Sequence, residues 1–180
     1  MRSHPLILPL LSITCISLVA PLRSEAQPAS DDASAPAWTV QTDPLTDALG
    51  ISQVLVERRV TSHLALYIGP SLHLFDSPLL PDDEEGYKAY GTEQGARWFF
   101  DATAPFGWWA GMRLIVADLR YEGDSRIGGY ISALGGYAWL LADRWIVSAA
   151  VGVSYFDYDI GDVGVQGVKP GAHTGIGFAF

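Results

Sequence analysis

The feature that most constrains this chain is a two-residue alternation that puts branched apolar side chains on one face of each segment and small or polar ones on the other. Read backwards from the end, Phe180, Phe178, Ile176, Thr174 and Ala172 share one face, and Ala179, Gly177, Gly175, His173 and Gly171 the other. Leu64, Leu66, Ile68, Leu72 and Leu74 alternate in the same way with Ala65, Tyr67, Gly69, Ser71 and His73. So do Val147, Ala149, Val151, Val153 and Tyr155 with Ser148, Ala150, Gly152 and Ser154. A soluble sandwich or lipocalin-like barrel turns its large apolar face inward and carries charge outside. Here the second face is too small and too uncharged to be a solvated surface. It suits the cramped interior of a narrow barrel whose apolar face is turned to lipid.

Composition agrees. The 180 residues are 49% hydrophobic and 17% charged, with 19 glycines and a formal net charge of -9. That apolar content excludes a disordered chain, and 20 acidic against 11 basic residues without a basic cluster oppose nucleic-acid binding. Met1 to His4 carries positive charge, Pro5 to Ala20 is apolar, and Ser24 and Ala26 are small residues at the -3 and -1 positions of a cleavage site. Residues 1–26 read as a secretory signal peptide and 27–37 as a disordered leader, leaving the barrel at 38–180. Cys15, the one cysteine, would leave with the signal peptide, so disulfides, cysteine nucleophiles and thiolate metal sites are not expected. Beyond the leader the longest apolar run, Ile131 to Ala142, is interrupted by Ser132 and two glycines and is too short for a spanning helix.

Eight strand-like segments follow: Trp38 to Asp47, Ile51 to Arg59, Leu64 to Phe75, Tyr87 to Phe100, Gly107 to Tyr121, Ile127 to Leu141, Trp145 to Asp159 and Val168 to Phe180. Pro44 and Gly50 interrupt the pattern of the first two. Short connections alternate with longer ones, the latter at Asp76 to Gly86, Glu122 to Arg126 and Ile160 to Gly167. This is the pattern of periplasmic turns and extracellular loops. All six tryptophans, Trp38, Trp98, Trp108, Trp109, Trp139 and Trp145, fall near the short turns or the amino terminus. Tyr87, Tyr90, Tyr121, Tyr130, Tyr155 and Tyr158 fall near the loops, as two aromatic belts would. The predicted fold is an all-β, eight-stranded antiparallel up-and-down transmembrane β-barrel.

The last strand, apolar and ending in Phe180 with Phe178 two residues before it, resembles the signal by which bacterial outer-membrane barrels are recognised for insertion. In size and strand number the chain is similar to the small barrels of the OmpX and OmpA transmembrane-domain type. Thr42 to Pro70 also resembles an uncharacterised group of small outer-membrane proteins known only as a domain of unknown function. The resemblance implies location and fold, and no reaction. It places the protein in the outer membrane of a Gram-negative bacterium, with lipid, lipopolysaccharide and the barrel-assembly machinery as partners.

Candidate chemistry is sparse. Glu57, Glu93, Arg97 and Arg113 stand at inward positions, where a charge needs a partner. Because eight strands enclose room only for side chains, they read as a salt-bridge network that plugs the barrel; the alternative is a selectivity ring in a conducting pore. His73 and His173 share the inward face and His63 lies by a short turn. A hydrolase would use such a histidine as a general base for a serine, but no motif of a barrel enzyme is present, and histidines satisfied by interior carboxylates are the simpler account. Asp157, Asp159 and Asp162, and the run Asp82, Asp83, Glu84 and Glu85, are acidic groups that either gather divalent cations or keep loops solvated. No cofactor or resident metal is implied. The expected role is structural or surface-interactive, non-catalytic and not an open porin. The alternatives are a lipid-modifying hydrolase or acyltransferase, and a soluble periplasmic ligand-binding barrel.

Overall fold

The computed structural model describes residues 36–73, 86–101, 104–161 and 163–180. In chain order the elements are β1 (Trp38–Thr42), α1 (Pro44–Ala48), β2 (Ile51–Gln53), β3 (Leu55–Arg59), β4 (Leu64–His73), β5 (Lys88–Phe99), β6 (Gly107–Tyr121), β7 (Asp124–Leu141), β8 (Trp145–Ile160) and β9 (Val163–Ala179). Strands β4 to β9 each pair antiparallel with the next, and β2 and β3 lie end to end against β4 as a single stave. Strand β1 then pairs with β3 on one side and β9 on the other, so the sheet closes into an eight-stranded up-and-down barrel. Closure matters because it removes the open sheet edges that lipid cannot hydrogen-bond.

The faces are those of a transmembrane barrel. Large apolar side chains point outward and are bare, among them Val151 at 72%, Val168 at 68% and Ile68 at 56% exposure. Inward positions are buried and hold glycine, alanine, serine and the charged residues. Trp38, Trp98, Trp108, Trp139 and Trp145 are exposed on the outside at the end where the termini meet. Trp109 is not in that belt. It follows Trp108 on β6, so the pleat turns it to the opposite face, and it is buried in the lumen. The same parity takes Tyr87, Tyr130 and Tyr158 out of the second belt and into the interior, where their rings pack against one another.

Two of the expected long loops are tight turns. Between β6 and β7, Tyr121 pairs with Asp124 across Glu122 (φ 49°) and Gly123 (φ 97°), the positive-φ pair of a two-residue hairpin whose twist matches its strands. Strand β9 begins at Val163, opposite Ile160, so residues 163–167 belong to strand and not to a loop. The third expected loop, at 76–86, falls almost wholly outside the described residues.

Three prolines set the form of one flank. The first strand was expected to reach Asp47. It stops at Thr42, because Pro44 has no N–H for a ladder and Asp43 caps the helical turn α1, its carboxylate accepting from the N–H groups of Leu45 and Thr46. Pro70 stands opposite Val54, with its absent N–H on the side facing β2 and β3, and the second stave is interrupted there. On β9 the even-numbered residues aim their backbone groups at β1, as the mutual bonds of Trp38 and Phe180 show. Above Ile176 no strand lies on that side among the described residues, and Pro170 occupies one of these edge positions.

A substitution pair tests this edge. Val168 and Val151 are both outward-facing strand valines, but only Val168 directs its N–H to the strandless side. Val168→Pro is expected to fold like the parent. Val151→Pro should lose on the order of 3 kcal/mol by stranding a ladder carbonyl. Urea midpoints of the heat-modifiable gel species measure both.

Candidate functional site: a charged lumen

The barrel interior is held by side chains from six staves meeting around Arg97, Arg113 and His173. Arg97 on β5 pairs with Glu57 on β3 at 3.2 Å, both buried. Its guanidinium lies between two aromatic faces, 5.1 Å from the centre of Tyr67 and 4.8 Å from that of Trp109. In the low dielectric of the lumen such contacts help replace lost hydration. Glu57 also takes a hydrogen bond from the Gln41 amide at 3.5 Å, tying β1 to β3 through the interior.

The second centre is Asp43, which leaves the wall between β1 and α1 and is fully buried. Arg113 on β6 donates to Oδ2 at 3.4 Å, and His173 on β9 donates from Nδ1 to the same oxygen at 2.8 Å. Oδ1 accepts from the Thr174 hydroxyl at 2.6 Å and from the Thr174 N–H at 3.1 Å. That N–H is the next backbone donor on β9 after the last β1 pairing. Arg113 likewise donates to the Ala172 carbonyl at 3.4 Å. Two side chains therefore bond the β9 edge where the first strand has ended. A buried, multiply bonded network of this kind fixes geometry more than it adds net stability.

His173 is oriented at both nitrogens. With Nδ1–H given to Asp43, Nε2 is the acceptor and receives Arg97 at 2.9 Å. A histidine whose Nε2 already accepts from a guanidinium is not poised to take a proton from a serine. His73 is buried and packs edge-on against Tyr87, with ring centres 5.2 Å apart. His63 sits at the short-turn end, its Nδ1 2.7 Å from the Phe99 carbonyl and its ring stacked on Trp98.

The DUF3575 family, described as proteins of unknown function, matches residues 13–166. The chain belongs to that family. Its fold is similar to the crystal structure of Neisserial surface protein A, with a TM-score of 0.52 at 17% identity. The match covers 80% of this chain and 97% of that one, and at this identity it speaks to fold alone. Comparison with curated proteins gives no match.

Within this DUF3575 barrel the structure brings Glu57, Arg97, Arg113 and His173 together and buries Glu93 beside them. Glu93 makes no ion pair among the described residues and lies in the field of Arg113 and Arg97. Arg113 finds its partner in Asp43, a residue outside the set read from the sequence. Tyr67, Trp109 and Gln41 are further members that sequence reasoning did not include. Room for them comes from glycine: a Cβ on Gly95 would collide with the Tyr67 ring, and one on Gly175 with Ser148. Asp157 and Asp159 share one partner at the outer rim. Arg126 donates to Asp157 at 2.6 Å and to Asp159 at 2.8 Å, so their charge is met within the chain. Asp82, Asp83, Glu84, Glu85 and Asp162 lie outside the described residues. No group of three or more carboxylate, histidine or cysteine ligands suited to a metal ion occurs among the described residues.

Removing Asp43 strands a buried guanidinium, an imidazole and a backbone N–H together. Asp43→Ala is expected to cost about 3–5 kcal/mol, whereas Asp47→Ala on the exposed face of α1 should change little. Unfolding in urea from lipid vesicles, followed by tryptophan fluorescence, provides the measurement.

Proposed function

We propose that this protein is an outer-membrane β-barrel of structural or surface-interaction role, non-catalytic and closed to ions. The observation that carries the reading is the pairing of a bare apolar exterior with a lumen occupied by buried, mutually bonded charges. An exposed exterior of valine, isoleucine and tryptophan is untenable in water and suited to lipid. A lumen crossed by Arg97 and Arg113, each held by a carboxylate, leaves no continuous aqueous path of the kind a porin needs. The barrel is of OmpX and OmpA size. The termini meet at the end that carries the tryptophan belt, and that end is periplasmic.

Other parts of the chain suit this location. Phe178 and Phe180 end the last strand on the outward face, in keeping with a signal read by the barrel-assembly machinery. The tall β6–β7 and β8–β9 hairpins project the outer rim, where Arg120 and Lys88 face each other across the sheet within reach of lipopolysaccharide. The residues 1–26 supply the secretory address that such a destination requires.

Reconstitution tests the reading. Purified protein is expected to need detergent, to migrate faster unheated than boiled, and to give no unitary conductance in planar bilayers. Solubility without detergent would overturn the membrane placement, and stepwise conductance would overturn the closed lumen.

A further inference from the structure

On the outer wall a groove follows one diagonal row of side chains. Between the staves β3 and β7 runs a groove of about 680 Å³, inside the range of about 300–1,000 Å³ typical of small-molecule sites. Its depth has a simple origin. In the cross-strand row Leu66, Ala96, Met112 the middle position is an alanine, flanked by two long apolar side chains that stand up as walls. One row higher, Ile68, Gln94 and Leu114 continue the channel towards Ile131. Beyond the Leu66 wall the same row continues to Arg58 on β3 and Trp38 on β1, at the level of the tryptophan belt. There Arg58 on β3 points outward with its guanidinium 5.1 Å above the Trp38 ring. Arg58 forms no ion pair with a carboxylate among the described residues.

This is an amphipathic site in one order: a cation beside an indole at the interface, then an apolar trough leading into the hydrocarbon. We propose that the groove seats one glycerophospholipid of the periplasmic leaflet, its phosphate on Arg58 and one acyl chain lying along Ala96 between Leu66 and Met112. The assignment rests on the membrane placement proposed above. Charge complementarity selects the occupant: an outward guanidinium without a protein carboxylate is satisfied by a phosphate at the interface. The Trp38 ring beneath it keeps the cation at the depth where headgroups lie. The trough, lined by leucine, isoleucine and methionine, offers a chain contact on both sides. Gln94 is the polar exception on the wall, so the chain runs on the Ala96 side.

Native mass spectrometry of the full barrel, released from detergent after back-titration with phosphatidylglycerol, tests the site. The parent is expected to retain one phospholipid through stepwise activation. Arg58→Gln should lower that occupancy about fivefold, the scale of one basic residue at a membrane surface. Ala96→Phe, which fills the floor of the trough, should lower it at least as far, and Ala96→Leu serves if the larger ring impairs folding. Val153→Phe on β8, two strands beyond Met112 and outside the groove lining, should leave it unchanged. Heat-modifiable migration of each variant confirms that it is folded. Equal retention by all variants, no retention by the parent, or a dimer mass that persists without lipid would each overturn the proposal. If the protein needs detergent and migrates as a barrel yet retains no lipid, the groove assignment alone falls. If it is soluble without detergent, the membrane reading falls with it.

Discussion

Everything in this barrel answers to one constraint: a wall immersed in hydrocarbon has no water to bond the backbone groups it leaves open. The closing seam between β1 and β9 is where that constraint bites hardest. Strand β1 ends at Thr42, while β9 continues well beyond the Ile176 that faces it. The next donor, the Thr174 N–H, goes to Asp43, and the Ala172 carbonyl further on goes to Arg113. Then comes Pro170, which has no N–H to satisfy. The charged lumen is thus part of the wall. Asp43 and Arg113 must be inside and must be paired, because they stand in for a strand.

The same residues occupy the interior. Arg113 reaches from β6 across to β9, and Arg97 from β5 across to Glu57 on β3 and His173 on β9. Each is charged, so each needs a counter-charge and hydrogen-bond acceptors in a space without bulk water. A set of residues that reaches across the barrel to pair also occupies it. The surplus of large rings inside, Tyr67, Trp109 and Tyr130, follows from the guanidinium groups that lie over their faces. Glycine on the facing strand admits the Tyr67 ring.

Much of this was legible in the sequence because a strand's period is two and lipid inverts the usual assignment of faces. Strand identity, the inward charges Glu57, Glu93, Arg97 and Arg113, and the outward apolar positions all follow from parity. Position along the chain groups Trp108 and Trp109 in one belt, but neighbours on a strand cannot share a face, and Trp109 lies inside. Asp43 was missed for a different reason. It lies between a strand and a helical turn, where no period applies, and its neighbour Pro44 marks only an interruption. The capping pattern of Asp43 before Pro44 would have placed a helical start there, but nothing local shows that the same carboxylate meets Arg113 and His173. The tight hairpins at Glu122 and Gly161 were overestimated as loops because polar residues continue on strands that rise beyond the apolar band.

Strand β5 shows how interior and exterior requirements meet in one stave. Its inward positions alternate between charge and glycine, with Glu93 and Arg97 separated by Gly95, which makes room for the Tyr67 ring. Its outward positions near the middle are Thr92, Gln94 and Ala96, smaller or more polar than the leucine, isoleucine, methionine and valine on the adjoining strands. The stave is therefore thin on both faces. Inside, the thinness admits an aromatic face for Arg97. Outside, it leaves the trough between Leu66 and Met112. A larger residue at Gly95 would push on Tyr67 and through it on Arg97, whereas a larger residue at Ala96 projects into lipid and touches none of the network. The interior can thus be altered through one position and the exterior through its neighbour, which allows the groove and the charged lumen to be examined separately.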